Sequence, residues 1–188
     1  MRMLPALSLP ALPTLALVAL PHAALAQIAR ADFIKKAVTG ASAAIGAKAT
    51  IAHIDTGSKA VHTWRQGTNG FTCTLLPDGS DAPVCADAQG WQWVVDAFTG
   101  KPKPTNTAPG IAYMAAGGVH HETPDGGIVM MPGANTKAVQ EPPHWMLLWP
   151  VDAATSGLPT KSTAATYIMF AGTPYAHLMI HQDPAKLK

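Results

Sequence analysis

Two apolar runs near the C-terminus, PHWMLLWP at 143–150 and ATYIMFAGTPYAHLMIH at 165–181, each contain a His-x-Met unit. Side chains in a strand alternate between two faces. Read as strands, the runs therefore place His144 with Met146 on one face, and His177 with Met179, Tyr175 and His181 on another. Pro142, Pro143 and Pro150 bracket the first run and predict a short or edge strand, because proline removes a ladder donor. Ala171-Gly172-Thr173-Pro174 breaks the second run and predicts a hairpin of 165–170 with 175–181.

Upstream, Phe33/Ala37 and Ile34/Val38 stand four apart and predict a short helix over 28–38. A hairpin of 50–54 with 59–64 follows, then a third strand over 71–76 after the turn dipeptide Asn69-Gly70. Pro77-Asp78-Gly79-Ser80 leads into an irregular loop that reaches Cys85. Asp87 caps a helix with Trp91, Val94, Val95 and Phe98 on its apolar face, ended by Gly100 and Pro102. Trp93 falls off that face, placed to cover the disulfide loop or line a pocket. Short strands are expected over 110–116 and 128–131, whereas 117–127 and 132–143 read as loops. The sum is an α+β fold, a mostly antiparallel sheet with two or more helices packed on one side.

Composition adds a compartment. Arg2, the apolar run 4–20 and Ala24-Leu25-Ala26 form an export signal over residues 1–26, leaving 27–188 as a single exported domain, periplasmic or secreted. Prolines at 5, 10, 13 and 21 make the leader a poor spanning helix, so no stable membrane insertion is expected after cleavage. Cys73 and Cys85 are the only cysteines, and in an oxidising compartment they are expected to form one structural disulfide. A net charge of +2 without a basic patch excludes nucleic acid as an expected partner.

The phrases GTNGFTC at 67–73, Cys85 with its following aspartate, WxW at 91–93, GIAYM at 110–114, PHxM at 143–146 and GTPYAHxM at 172–179 together resemble a group of uncharacterised exported bacterial proteins. The resemblance implies export and one shared fold, with no activity to transfer.

Three chemistries follow from the residues. The leading one is non-catalytic binding of a small molecule, or an accessory role, in a pocket built from methionine and from Trp64, Trp91, Trp93, Trp145, Trp149, Tyr113, Tyr167 and Tyr175. The second is a transition-metal site, copper above all, using His144, Met146, His177 and Met179, with His181, His120 and His121 in reserve. The third is an acid/base enzyme such as a hydrolase, with His120 or His121 as base and Glu122 or Asp125 as orienter. No G-x-S-x-G, H-E-x-x-H or phosphate-loop pattern is present.

Overall fold

The computed structural model describes residues 22–187, with side chains from residue 29 onward. The expected signal, residues 1–26, lies largely outside the described residues. Helix α1 spans His22–Ala37, a 3-10 turn covers Val38–Gly40, and a short α2 covers Ala43–Lys48. Strands β1 (Thr50–Asp55), β2 (Ala60–Arg65), β3 (Thr72–Leu75) and β4 (Pro83–Ala86) lead to α3 (Ala88–Phe98). Then come β5 (Gly110–Met114), β6 (Gly118–Glu122), β7 (Ile128–Val129), β8 (Lys137–Glu141) and β9 (His144–Leu148). A single-turn α4 (Ala153–Ser156), β10 (Thr166–Met169) and β11 (His177–Ile180) complete the order.

Eight strands form one sheet in the order β10-β11-β9-β5-β4-β3-β1-β2, antiparallel throughout except for the β1/β3 pair. The fold is therefore α+β, as expected. The helices, expected on one side, divide between the two faces. Val84, Ala86, Ala112, Met114, Met146, Leu148 and Met179 join the core beneath α3. Cys73, Cys85 and Ile51 point the other way and pack with Phe33, Ile34, Ala37 and Val38 of the α1 segment. Cys85 lies between Val84 and Ala86 on β4, so strand alternation alone assigns the two cores to opposite faces.

The chain around Cys85 is strand rather than irregular loop. Cys73 and Cys85 face each other across β3 and β4, with their Cα atoms 4.0 Å apart, and both are fully buried. Strand β9 is short, as the prolines require, yet central, between β5 and β11. The prolines lie just outside its ends and remove no donor from the ladder.

Asp87 caps α3 by accepting from the Gly90 amide at 2.8 Å. Trp93, expected off the apolar face, is buried with Gly90 and Val94, while Trp91, Val95 and Phe98 of the expected stripe pack half-buried against the same core. Gly90 and Gly110 set how closely that face approaches the sheet. A Cβ on Gly90 would stand 2.7 Å from the Ile111 carbonyl oxygen, and one on Gly110 would overlap the Gly90 amide, so the two glycines allow α3 to dock directly on β5. Buried Asp96 then ties down the connection after the helix, accepting from the Thr105 amide at 2.6 Å and its hydroxyl at 2.7 Å.

Segments 117–127 and 132–143, expected to be loops, contain strands β6 and β8, which join β7, within the strand expected over 128–131, in a second sheet of order β7-β6-β8. It continues the β5/β9 ladder around a corner. Met114 pairs with His144 and Gly118 with Glu141, so four residue steps on one strand oppose three on the other. The extra residue bends the ribbon as a bulge does, helped by Gly117 at φ +75° and by Pro142 and Pro143. The β6/β8 arm thereby folds back over the α3 face of the main sheet. Gly118 seats against Met114 and His144, where a Cβ would meet the Met114 methyl at 2.7 Å.

Candidate functional site

Register determines the floor of the site. On the face beneath the arm, Met114, His144 and His181 stand side by side on β5, on β9 and just past β11. Across the strands, the next level of this floor holds Ala112, Met146, Met179 and Tyr167, and the third level holds Leu148, His177 and Met169. Helix α3 contributes Trp93, Val94, Ala97 and Phe98, and the arm contributes Val119, His120, Val129 and Met130. Between them is a partly open cavity of about 100 Å³. Met114, Met130, Met146, Met169 and Met179 all line it, five of the eight methionines in the chain. Thioethers are flexible and polarisable, so this wall can adapt to what it encloses.

Two imidazoles face this apolar space. His144 is 1% exposed and His177 4%. In each, Nδ1 lies against the backbone carbonyl two residues earlier, at 2.7 Å from Pro142 O and 2.9 Å from Tyr175 O. A carbonyl oxygen only accepts, so Nδ1 carries the proton and Nε2 keeps its lone pair. Neither Nε2 has a hydrogen-bond partner among the described residues, and both rings border the cavity. Burial lowers the pKa of both, to about 4 for His177, and keeps the lone pairs free at neutral pH. Trp93 and Phe170 meet His177 edge-on, with ring centroids 5.8 Å and 5.5 Å away, and hold the ring in place.

A buried polar network joins the arm to the sheet beside the cavity. His120 Nε2 donates to Glu122 Oε1 at 3.0 Å, while its Nδ1 lies 2.6 Å from Glu141 Oε1. The second contact is out of line for a hydrogen bond, so its attraction is ionic. Glu141 also accepts from the Tyr167 hydroxyl and meets His181 Nε2 at 2.5 Å. Glu122 accepts from Ser162 at 2.6 Å and pairs with Lys137 at 3.1 Å. Burial opposes the charge on His120, but the flanking carboxylates outweigh it and raise its pKa. Burial opposes ionisation of Glu141 as well, and His120 with Tyr167 lowers its pKa nonetheless. Ser162 above all, then His120 and Lys137, lower that of Glu122 to about 2. Burial raises the Tyr167 phenol, keeping it a donor.

The four expected metal ligands thus reach one cavity wall but not one point. Met146 and Met179 are direct cross-strand neighbours, whereas antiparallel pairing sends His144 and His177 to opposite ends of the row. Four residue steps at about 3.4 Å each separate them by about 14 Å along the sheet. Of the expected acid/base residues, His120 and Glu122 share a face and touch, but both nitrogens of His120 lie against carboxylates, Nε2 at 3.0 Å from Glu122 and Nδ1 at 2.6 Å from Glu141. His121 borders the cavity, while Asp125 accepts from the Thr123 hydroxyl at 2.6 Å in its own turn. Among the described residues no group of three or more His, Cys, Asp and Glu is arranged to hold a metal ion. Of the tryptophans and tyrosines expected to wall a pocket, Trp93 lines the cavity. Tyr167 supports it through Glu141, Trp64 lies on the far β1/β2 hairpin against Phe33 and His53, and Trp149 is exposed.

Glu141 belongs to no sequence motif, and the places of Met114, Tyr167 and His181 around the site follow only from the fold. Glu141 lies 26 residues from Tyr167 and 40 from His181, contacts that only the folded arm creates. No family model, no curated protein and no solved structure matches this chain.

Proposed function

We propose that this chain is an exported binding protein whose methionine-lined cavity takes a small ligand without chemically changing it. The observation that carries this reading is the pair of deeply buried imidazoles, His144 and His177, that turn bare Nε2 lone pairs into an apolar cavity. Among the described residues His120 Nδ1 is the one fully buried side-chain nitrogen or oxygen without a partner, so these two Nε2 atoms are reached from the cavity and are free to meet a ligand there. The ligand they fit is compact, uncharged or cationic, and either donates a hydrogen bond or accepts a lone pair. An anion would meet two lone pairs and the Glu141 carboxylate, while His120 is already held between two carboxylates.

The transition-metal alternative is a narrower form of this reading, favoured by the thioether wall and requiring donors that converge on one point. The acid/base alternative has less support, because His120 serves the network that joins arm to sheet. Helices crossing a membrane do not enter the account, since no helix among the described residues is long and apolar enough.

Phenol and benzoate, matched in ring size and opposite in charge behaviour, test the binding reading. Phenol should raise the melting temperature saturably in the millimolar range and benzoate should not, because ligand binding to the native state alone stabilises it by mass action. Equal effects of both, or no effect of phenol, would overturn it.

A further inference from the structure

The cavity floor contains a tighter cluster than the two His-x-Met units. His144 pairs with Met114 on β5, and two residues further along β9, Met146 pairs with Met179 on β11. Directly opposed residues place their Cβ atoms about 4.5–5.5 Å apart, so these four side chains start from one compact block of the sheet. Ala112, opposite Met146, leaves one corner of the block open, and His181, beside His144, fills the other with its Nε2 on Glu141. From above, the Gly118 backbone presses on the same block. A Cβ there would have Met114 Sδ at 3.7 Å and the His144 Cε1 atom at 3.8 Å, so sulfur and imidazole gather around one place. His144 brings the independent sign of a ligand, since it is almost completely buried, borders the cavity and has no partner for Nε2.

We infer that His144, Met114, Met146 and Met179 form a binding site for a soft monovalent metal ion of the copper(I) class. The inference rests on the binding reading of the cavity and names its ligand. One neutral imidazole nitrogen and three thioether sulfurs form a soft donor set, of the kind that selects copper(I) over hard oxygen-seeking cations. The Nδ1–H of His144, anchored on the Pro142 carbonyl, fixes the ring and leaves Nε2 as the ligating atom, the outer-shell arrangement common to metal-bound histidines. The three thioethers have enough rotatable bonds to close around an ion from fixed Cβ positions. His177 stands at the far end of the row, held by Trp93, Phe170 and the Tyr175 carbonyl, and is not a ligand.

Silver(I) is the suitable probe. It shares the closed-shell charge of copper(I) and needs no reductant, which would threaten the Cys73–Cys85 bond. Calorimetric titration of the purified, disulfide-bonded protein in nitrate buffer should show saturable binding of a single equivalent, with the Met114, Met146 and Met179 methyl resonances shifting together. The double variant Met146→Leu/Met179→Leu keeps apolar volume and should remain folded, yet bind silver roughly 10–100-fold more weakly. His144→Gln should weaken it comparably, and Met131→Leu, at an exposed methionine outside the cavity, should leave it unchanged. Absence of saturable binding by the wild type, unchanged affinity in the folded double variant, or an equal loss in Met131→Leu would each overturn the inference. Phenol stabilisation in a protein that ignores silver would overturn the metal site alone, whereas loss of both responses would overturn the binding cavity.

Discussion

Acidification should release the neutral state of His177 and, with it, a measurable part of the stability. The side chain is sealed among Trp93, Phe170 and Tyr175, and burial lowers its pKa from the usual 6.5 to about 4. An unfolded chain takes up the proton near 6.5, while the native state resists until about 4. The contribution is therefore complete above pH 6.5 and is lost as pH falls through the interval down to the folded value. The interval corresponds to roughly 3 kcal/mol, of which roughly 2 kcal/mol is gone by pH 5, above the range where most carboxylates titrate. Buried His144 shifts in the same direction and adds to the slope. Urea unfolding at pH 7 and pH 5 in wild type and His177→Gln isolates the His177 share, and the imidazole resonances of the wild type give its pKa directly. A His177 that titrates near 6.5, or equal pH dependence in both proteins, would refute the reasoning.

The Glu141→Gln variant leaves His120 and His181 without their shared carboxylate and should cost about 3–5 kcal/mol in denaturant unfolding. Because His120 is raised and Glu141 lowered, the network should stabilise the arm between the usual carboxylate range and the folded pKa of His120. Amide exchange in β6 and β8 should accordingly accelerate on either side of that window. Replacing both Cys73 and Cys85 with alanine opens a crosslink of sequence separation 12 and should lower stability by about 3 kcal/mol. Gly110→Ala forces a methyl into the Gly90 backbone and should lower the melting temperature more than Gly118→Ala, whose clash is with the movable end of Met114.

Local signals made much of the fold legible. Asp87 announced a helix start, the 50–65 and 165–181 segments announced hairpins, and period-two spacing put each His and Met on a common face. The β6/β8 arm was hidden because glycine and proline read as loop punctuation, while here Gly117, Pro142 and Pro143 turn a ribbon that continues through them. The burial of Trp93 within the apolar face of α3 was missed because Gly90 and Gly110, not the bulkiest side chains, decide how closely the helix approaches. Met114 ends the GIAYM phrase but acquires its place beside His144 only through strand register. Likewise, Glu141 reads as a solvated residue before Pro142-Pro143, and becomes buried only when the arm closes on Tyr167 and His181.

Methionine-methyl spectra under xenon test the cavity most directly, since an accessible apolar space of this kind takes up a noble gas without any polar recognition. The account predicts saturable shifts for Met114, Met146 and Met179, with exposed Met131 unmoved as the internal control. Cavity methyls that stay fixed, or that move no more than Met131, would contradict the claim that this face of the sheet is built around a space for a ligand.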